Sequence, residues 1–284
     1  MSEQAPLFSF GIVTDIQYAD REPAGLLRFR EAPRKLQHAV AQWNQHPLAF
    51  VVQLGDVVHG NGENTWHELN QIATILEQAY APQFHVIGNH CLSVKLSDLL
   101  RRFQMELPYY AFSHKGFRFV VLYGMDISLE SEGEAKLAAQ KFLAEHPSMR
   151  EWCGAIGEEQ LSWLEAQLRL AEMRQESIIF FCHFPVHWQT TDEAHGIVWN
   201  YSRVQELIFS SPNSVAWFNG HFHKGGDTVE QGMHFISLEA LVEAPEESNA
   251  FGIVEVYPDK LILKGEGVMK NRHLDLRFRS RVPA

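Results

Sequence analysis

Five short clusters of polar residues in this chain are of types that hold metal ions. They are Thr14-Asp15-Ile16-Gln17, Leu54-Gly55-Asp56, Ile87-Gly88-Asn89-His90, Cys182-His183 and Asn219-Gly220-His221-Phe222-His223. Together they offer the donors Asp15, Gln17, Asp56, Asn89, His183, His221 and His223. A mix of carboxylate, amide oxygen and imidazole suits Mn, Fe or Zn better than the all-oxygen sites of Ca or Mg. No thiolate is needed, which disfavours a structural zinc site. Asp15/Gln17 and His221/His223 are i, i+2 pairs, and in extended backbone such residues project to one side, where one ion can meet both. Gly55, Gly88 and Gly220 each precede a candidate donor and permit a sharp turn with close backbone approach. Taken singly, each cluster is an ordinary cap or a hydrogen-bonded core polar group. Five of them in this order are not what packing alone predicts.

The elements that must carry these residues alternate. Leu7 to Thr14, Ala49 to Leu54, Phe84 to Ile87, Phe117 to Tyr123, Ser177 to Cys182 and Val215 to Asn219 read as buried strands. Pro33 to Asn44, Thr65 to Tyr80 and Gly157 to Glu172 read as helices, the first with Leu36, Ala39, Val40 and Trp43 on one face. Continuous apolar strands between helices predict an α/β class with sheets covered on both faces. Five of the six strands stop at a candidate donor, and in open α/β sheets sites form beyond the carboxyl ends of strands. The tail reads as short strands, His234 to Leu238, Phe251 to Tyr257 and Lys260 to Gly265, with a hairpin turn at Pro258-Asp259. With no internal repeat or linker, one domain over 1–284 is expected, with a polar, helical insertion at 128–157.

Among its 284 residues the chain carries a formal net charge of -11. An acidic surface with no basic stripe argues against nucleic-acid binding. It does not exclude a phosphate-bearing substrate, because bound cations reverse the local field. The three cysteines, Cys91, Cys153 and Cys182, are scattered, which suggests no disulfide framework and fits a reducing compartment. The start, MSEQAPLFSFG, lacks a basic segment followed by an apolar one, and no run is apolar enough to span a bilayer. A cytoplasmic protein is therefore expected, of undetermined oligomeric state.

The ordered set DxQ, GD, GNH, H, GHxH, running from Asp15 to His223, resembles the calcineurin-like metallophosphoesterases. Two positions depart from the usual pattern: Gln17 stands where the first motif has His, and Cys91 where the third has an acid. Glutamine in the first motif is similar to the manganese-dependent ADP-ribose/CDP-alcohol diphosphatase branch. So are Trp199-Asn200-Tyr201, Gly220-His221 through Gly225-Gly226, and tail stretches such as Leu238-Glu239, Ala250-Phe251-Gly252 and Val256-Tyr257-Pro258-Asp259-Lys260. The resemblance implies two mixed β-sheets packed face to face and flanked by helices. It implies one ion on Asp15, Gln17 and His223, another on Asn89, His183 and His221, and Asp56 bridging both. Gln17 is neutral and a weaker donor than imidazole, so the first site is expected to be loosened.

The implied chemistry is hydrolysis at phosphorus. Two divalent ions about 3.5–4 Å apart, Mn first and Fe or Zn as alternatives, share a hydroxide that attacks in line. Asp56 joins the catalytic set through its bridge, and His90 is the candidate to protonate the leaving oxygen. The small substrate is expected to be nucleotide-like, with the phosphoanhydride of ADP-ribose or CDP-alcohols cleaved. A phosphomonoesterase or cyclic-nucleotide phosphodiesterase would use the same metal chemistry, and a non-catalytic scaffold would be expected to lack some donors. Candidate substrate contacts are His59, His187, Trp199, Asn200 and Tyr201, since aromatic faces stack on bases. His195 and the arginines Arg28, Arg30 and Arg34 are further candidates, against plainer readings as a solvated loop and a charged helix face.

Overall fold

The computed structural model describes residues 5–276, so the expectation drawn from residues 1–11 falls partly outside the described residues. The strands are β1 (Phe8–Val13), β2 (Phe50–Gln53), β3 (Gln83–His85), β4 (Tyr110–His114), β5 (Phe117–Val121), β6 (Ser177–Phe181), β7 (Ser214–Asn219), β8 (Lys224–Glu230), β9 (Met233–Glu239), β10 (Ala250–Val256), β11 (Lys260–Gly267) and β12 (Arg272–Asp275). The α-helices are α1 (Ala32–Trp43), α2 (Thr65–Leu76), α3 (Leu96–Arg102), α4 (Gly133–Glu145), α5 (Glu158–Arg174) and α6 (Tyr201–Ser210). Two six-stranded sheets result, in the orders β12-β11-β10-β1-β2-β3 and β4-β5-β6-β7-β9-β8. Both are mixed: β1, β2 and β3 run parallel beside antiparallel β10–β12, and β5, β6, β7 and β9 run parallel between antiparallel β4 and β8.

Alternation along the strands sorts side chains between two layers. Phe8, Phe10 and Ile12 of β1 join Phe50 and Val52 of β2 in one apolar cluster with Phe117, Phe119 and Val121 of β5 and Ile179 and Phe181 of β6. That cluster is the face-to-face core between the sheets. The alternate residues, among them Val51, Ile178 and Phe180, pack in a second cluster with Leu36, Val40 and Trp43 of α1, Leu69 and Ile72 of α2 and Leu161, Leu164 and Leu168 of α5. Each sheet is thus covered by helices on its outer face. Gly11 in β1 lets the Trp43 indole lie against the strand, where a Cβ would collide with the ring. Aromatic rings stitch the sandwich: Phe119 meets Phe50 at 4.9 Å, Phe112 at 4.9 Å, Phe181 at 5.7 Å and Phe10 at 5.8 Å between centroids.

The elements differ from the sequence reading mainly at edges. β4, β8, β12 and α3 lie outside the elements read from the sequence, and α6 begins at the Trp199-Asn200-Tyr201 cluster, one reading of which is a helix start. β8 has the sequence KGGDTVE and is mostly exposed, so it lacks the apolar alternation that marks a strand; pairing with buried β9 supplies it instead. β3 ends at His85, two residues before Ile87, and the chain reaches Asn89 through an irregular turn. Among the described residues no helix is long and apolar enough to cross a membrane.

Phe119 is fully buried at the centre of the ring cluster. Replacing it by Ala should destabilise the chain by about 3–5 kcal/mol, because transfer and cavity terms add. The urea unfolding midpoint measures this, and a change under about 1 kcal/mol would show that the sheets repack around the gap.

Candidate metal centre

The parallel strands β1, β2 and β3 are neighbours in one sheet, and β6 and β7 are neighbours in the other. All five deliver their C-terminal ends to one rim of the sandwich. The backbone there is not extended. Asp15 (φ 49°), Gln17 (φ 44°), Asp56 (φ 51°) and His221 (φ 65°) all lie in the left-handed region. The i, i+2 projection from extended strand is therefore replaced by two left-handed turns, which bend each donor back over the strand end. Such conformations cost roughly 1–3 kcal/mol at a non-glycine residue and persist where surrounding structure enforces them. The enforcing contacts are backbone hydrogen bonds across strand ends, Asp15 N to Gly55 O and Gln17 N to Asp56 O. Glycine makes the crowding possible: a Cβ on Gly88 would collide with Asp56 Oδ1, and one on Gly220 with Thr14 Oγ1 and Asp15 Oδ2.

Five of the donors, Asp15, Asp56, His183, His221 and His223, are held by the atom they do not need for a ligand. Asp15 Oδ2 accepts from Thr14 Oγ1 (2.7 Å) and from the His221 N–H (3.0 Å). Asp56 Oδ1 accepts from the His90 N–H (2.9 Å), in the turn that also carries Asn89. His183 donates from Nδ1 to Leu54 O (2.8 Å), and His221 from Nε2 to His195 O (2.9 Å). His223 Nδ1 bonds the Glu243 carboxylate (2.9 Å). Tying one imidazole nitrogen to an oxygen leaves the other aimed inward, the usual arrangement of metal-binding histidines.

The inward atoms have nothing of their own to bond. Asp15 Oδ1, Asp56 Oδ2, Asn89 Oδ1 and His183 Nε2 are all buried without a hydrogen-bond partner. Leaving each such group unsatisfied costs about 1–3 kcal/mol. They approach one another instead: His183 Nε2 lies 3.1 Å from Asp56 Oδ2, and His223 Nε2 lies 3.4 Å from Asp15 Oδ1. Ligand atoms of Asp56, His183 and His221 all lie within 4.8 Å of one another. A cluster of orphaned oxygen and nitrogen atoms in a buried crevice fits divalent cations, whose charge would satisfy all of them together.

The electrostatics agree. Burial opposes charge on Asp15 and Asp56, but the facing imidazoles outweigh it and hold both carboxyls below the ordinary range. Burial likewise opposes charge on His183 and His223, yet Asp56 lifts the first to about 9, and Asp15 with Glu243 lifts the second to about 10. His221, buried beside His183, is pushed down to about 3.

The structure also brings His90 and His59 to the rim. Their rings stack at 4.6 Å, and His90 Nδ1 donates to His59 O (2.8 Å), leaving Nε2 free. Burial, with His90 adding to it, pushes His59 down to about 4, so it is neutral at pH 7. The other candidate contacts are engaged elsewhere. His187 bonds Glu230 (2.7 Å) and packs on Phe235. Trp199 is buried, donates to Arg150 O and stacks on Phe142. Asn200 bonds both backbone groups of Ile156, and Tyr201 opens α6 with its ring edge-on to Trp188. Arg28 faces Glu31, Arg30 pairs with Asp20 and Glu22, and Arg34 donates to Glu246 O. His195 bonds Asp192 through its ring and supports His221 through its carbonyl. The three cysteines are buried, and burial pushes each thiol up to about 12. Glu243 escaped the sequence reading. It lies in a short turn after β9, where no periodicity connects it to His223.

A model of the calcineurin-like phosphoesterase family matches residues 8–225, more than half of the chain. The chain belongs to that family. It is 34% identical to a manganese-dependent ADP-ribose/CDP-alcohol diphosphatase of Oryza sativa, over 96% of this chain and 95% of the relative. The human protein of the same description is 29% identical over 95% and 93%. Among solved structures, a dimetal phosphatase from Danio rerio superposes with a TM-score of 0.88 at 28% identity, covering 96% of this chain and 100% of that one. This calcineurin-like phosphoesterase is accordingly a metal-dependent phosphohydrolase, acting on phosphoester or phosphoanhydride bonds.

Two outcomes are expected of the centre. Glu243→Ala should weaken divalent-metal affinity about 10- to 100-fold, as loss of a carboxylate behind a liganding imidazole does; isothermal titration with Mn²⁺ measures it, and unchanged affinity would remove Glu243 from the site. Protons on His183 and His223 compete with the ion below their raised values of about 9 and 10. Metal binding should therefore release protons at neutral pH and tighten as pH rises toward that range. Titrations in buffers of different ionisation enthalpy count the protons, and affinity independent of pH would contradict the charge arrangement.

Proposed function

We propose that this phosphoesterase binds two divalent ions, manganese foremost, and hydrolyses the phosphoanhydride of nucleoside-diphosphate-linked compounds such as ADP-ribose or CDP-alcohols. The observation that carries the reading is the set of orphaned donor atoms on Asp15, Asp56, Asn89 and His183, within a chain that aligns over 96% of its length with a diphosphatase of that description. Asp15, Gln17 and His223 would hold one ion, and Asn89, His183 and His221 the other, with Asp56 shared. The close approaches of His223 to Asp15 and Gln17, and of His183 to Asp56, support that division.

When bound, the ions supply Lewis-acid neutralisation of phosphoryl charge and make a water acidic enough to serve as nucleophile. The protein's own residues supply orientation and a proton. Leu54 O and Glu243 keep the inward nitrogens of His183 and His223 on target. His90, with Nδ1 tied to His59 O and its backbone N–H on Asp56, presents Nε2 at the rim. From there the doubly protonated ring would give its Nε2 proton to the leaving phosphate oxygen and keep its Nδ1 proton on His59 O, and so become neutral. In an acidic chain of net charge -11, an anionic substrate depends on this local reversal of field.

The test is a panel of ADP-ribose, CDP-choline, cyclic AMP and an aryl phosphate with Mn²⁺. Cleavage of the two diphosphates is expected, and cleavage of the aryl phosphate alone would overturn the reading. On the best substrate His90→Ala should lower kcat by about 10²- to 10⁴-fold with metal content unchanged. Near-normal turnover would release His90 from the proton-donating role.

A further inference from the structure

Gln17 is the unusual member of the donor set, and its side-chain amide is buried, with only 2% of the residue exposed. The amide has two neighbours in the structure. Its Nε2 lies 3.0 Å from His223 Nε2, and its Oε1 lies 3.1 Å from His59 Nδ1. Asp15 Oδ1 also faces His223 Nε2, at 3.4 Å. One imidazole nitrogen cannot donate to Asp15 and accept from Gln17 at once. An amide can bind a cation only through its oxygen, which here points outward to His59. A half turn of the amide places Oε1 toward His223 and the centre, and Nε2 toward His59. The outer partner must then accept a hydrogen bond where it had donated one.

Imidazole is a side chain that can do both, since a neutral ring carries one donor and one acceptor nitrogen and can exchange them. His59 is also held in place. Its ring stacks on His90 (4.6 Å) and meets Phe29 at a tilt (4.5 Å), and its backbone N–H bonds Tyr18 O. We propose that His59 is the positioning residue for Gln17: its ring nitrogen takes the amide's Nε2–H and so turns Oε1 onto the ion. A glutamine in place of the first-motif histidine is workable here because a second histidine orients it. The proposal rests on the reading of Gln17 as a metal ligand, and goes beyond it by assigning what makes the amide competent.

The test uses Mn²⁺ titration calorimetry on the full chain, with thermal melts alongside. His59→Phe keeps the ring stack but removes the acceptor, and should weaken Mn²⁺ binding about 10- to 100-fold with little change in melting temperature. His59→Gln restores a donor and an acceptor and should recover most of the affinity. In a Gln17→Ala background, His59→Phe should cost nothing further. Unchanged affinity in His59→Phe, an equal loss in His59→Gln, or an undiminished loss in the Gln17→Ala background would each overturn the proposal. Full Mn²⁺ affinity in Gln17→Ala alone would instead overturn the reading of Gln17 as a ligand.

Discussion

Two carboxylates, two amides and three imidazoles converge in one crevice, and the pull among their buried polar atoms governs the rim of this molecule. Side chains of this kind are costly to bury unless something satisfies them. Within the protein they can only approach one another, as His183 and Asp56 do at 3.1 Å. Four left-handed residues and three glycine-permitted close approaches hold the cluster against its own cost. That strain is tolerable because the aromatic core between the sheets anchors the strands from which the turns spring. A cation resolves what the protein alone cannot.

The tethering behind the donors divides the labour. Backbone carbonyls of Leu54 and His195 orient His183 and His221, while a carboxylate, Glu243, orients His223. The carboxylate adds charge as well as direction, and it backs the side of the centre where Gln17 brings no charge. His90 and His59 form a stacked pair at the opening, one with a free ring nitrogen at the rim and the other bonded to Gln17.

Much of this was legible before the fold was known. The strands that carry donors are apolar runs that stop at Asp15, Asp56, His183 and His221, and β1, β2, β6 and β7 lie within a residue or two of their sequence-read spans. Donor chemistry is a property of residue type, so the seven ligand candidates could be named from local pattern. Exposed β8 could not, because its strand character comes from pairing with β9 rather than from its own side chains. The triplet Trp199-Asn200-Tyr201 reads equally as a base or sugar platform and as a packing cluster that starts a helix; in the fold Trp199 and Asn200 bond backbone groups and Tyr201 opens α6.

The sequence by itself determined which residues are the candidates for metal chemistry and which family they resemble, because ligand type, order and flanking glycine are written in contiguous letters. Only the tertiary structure decided how the donors are aimed. The left-handed turns at Asp15 and Gln17, Glu243 behind His223, and His59 against Gln17 each depend on segments far apart in the chain meeting at one rim. Distances of that kind are set by sheet order and packing, which no local spacing encodes.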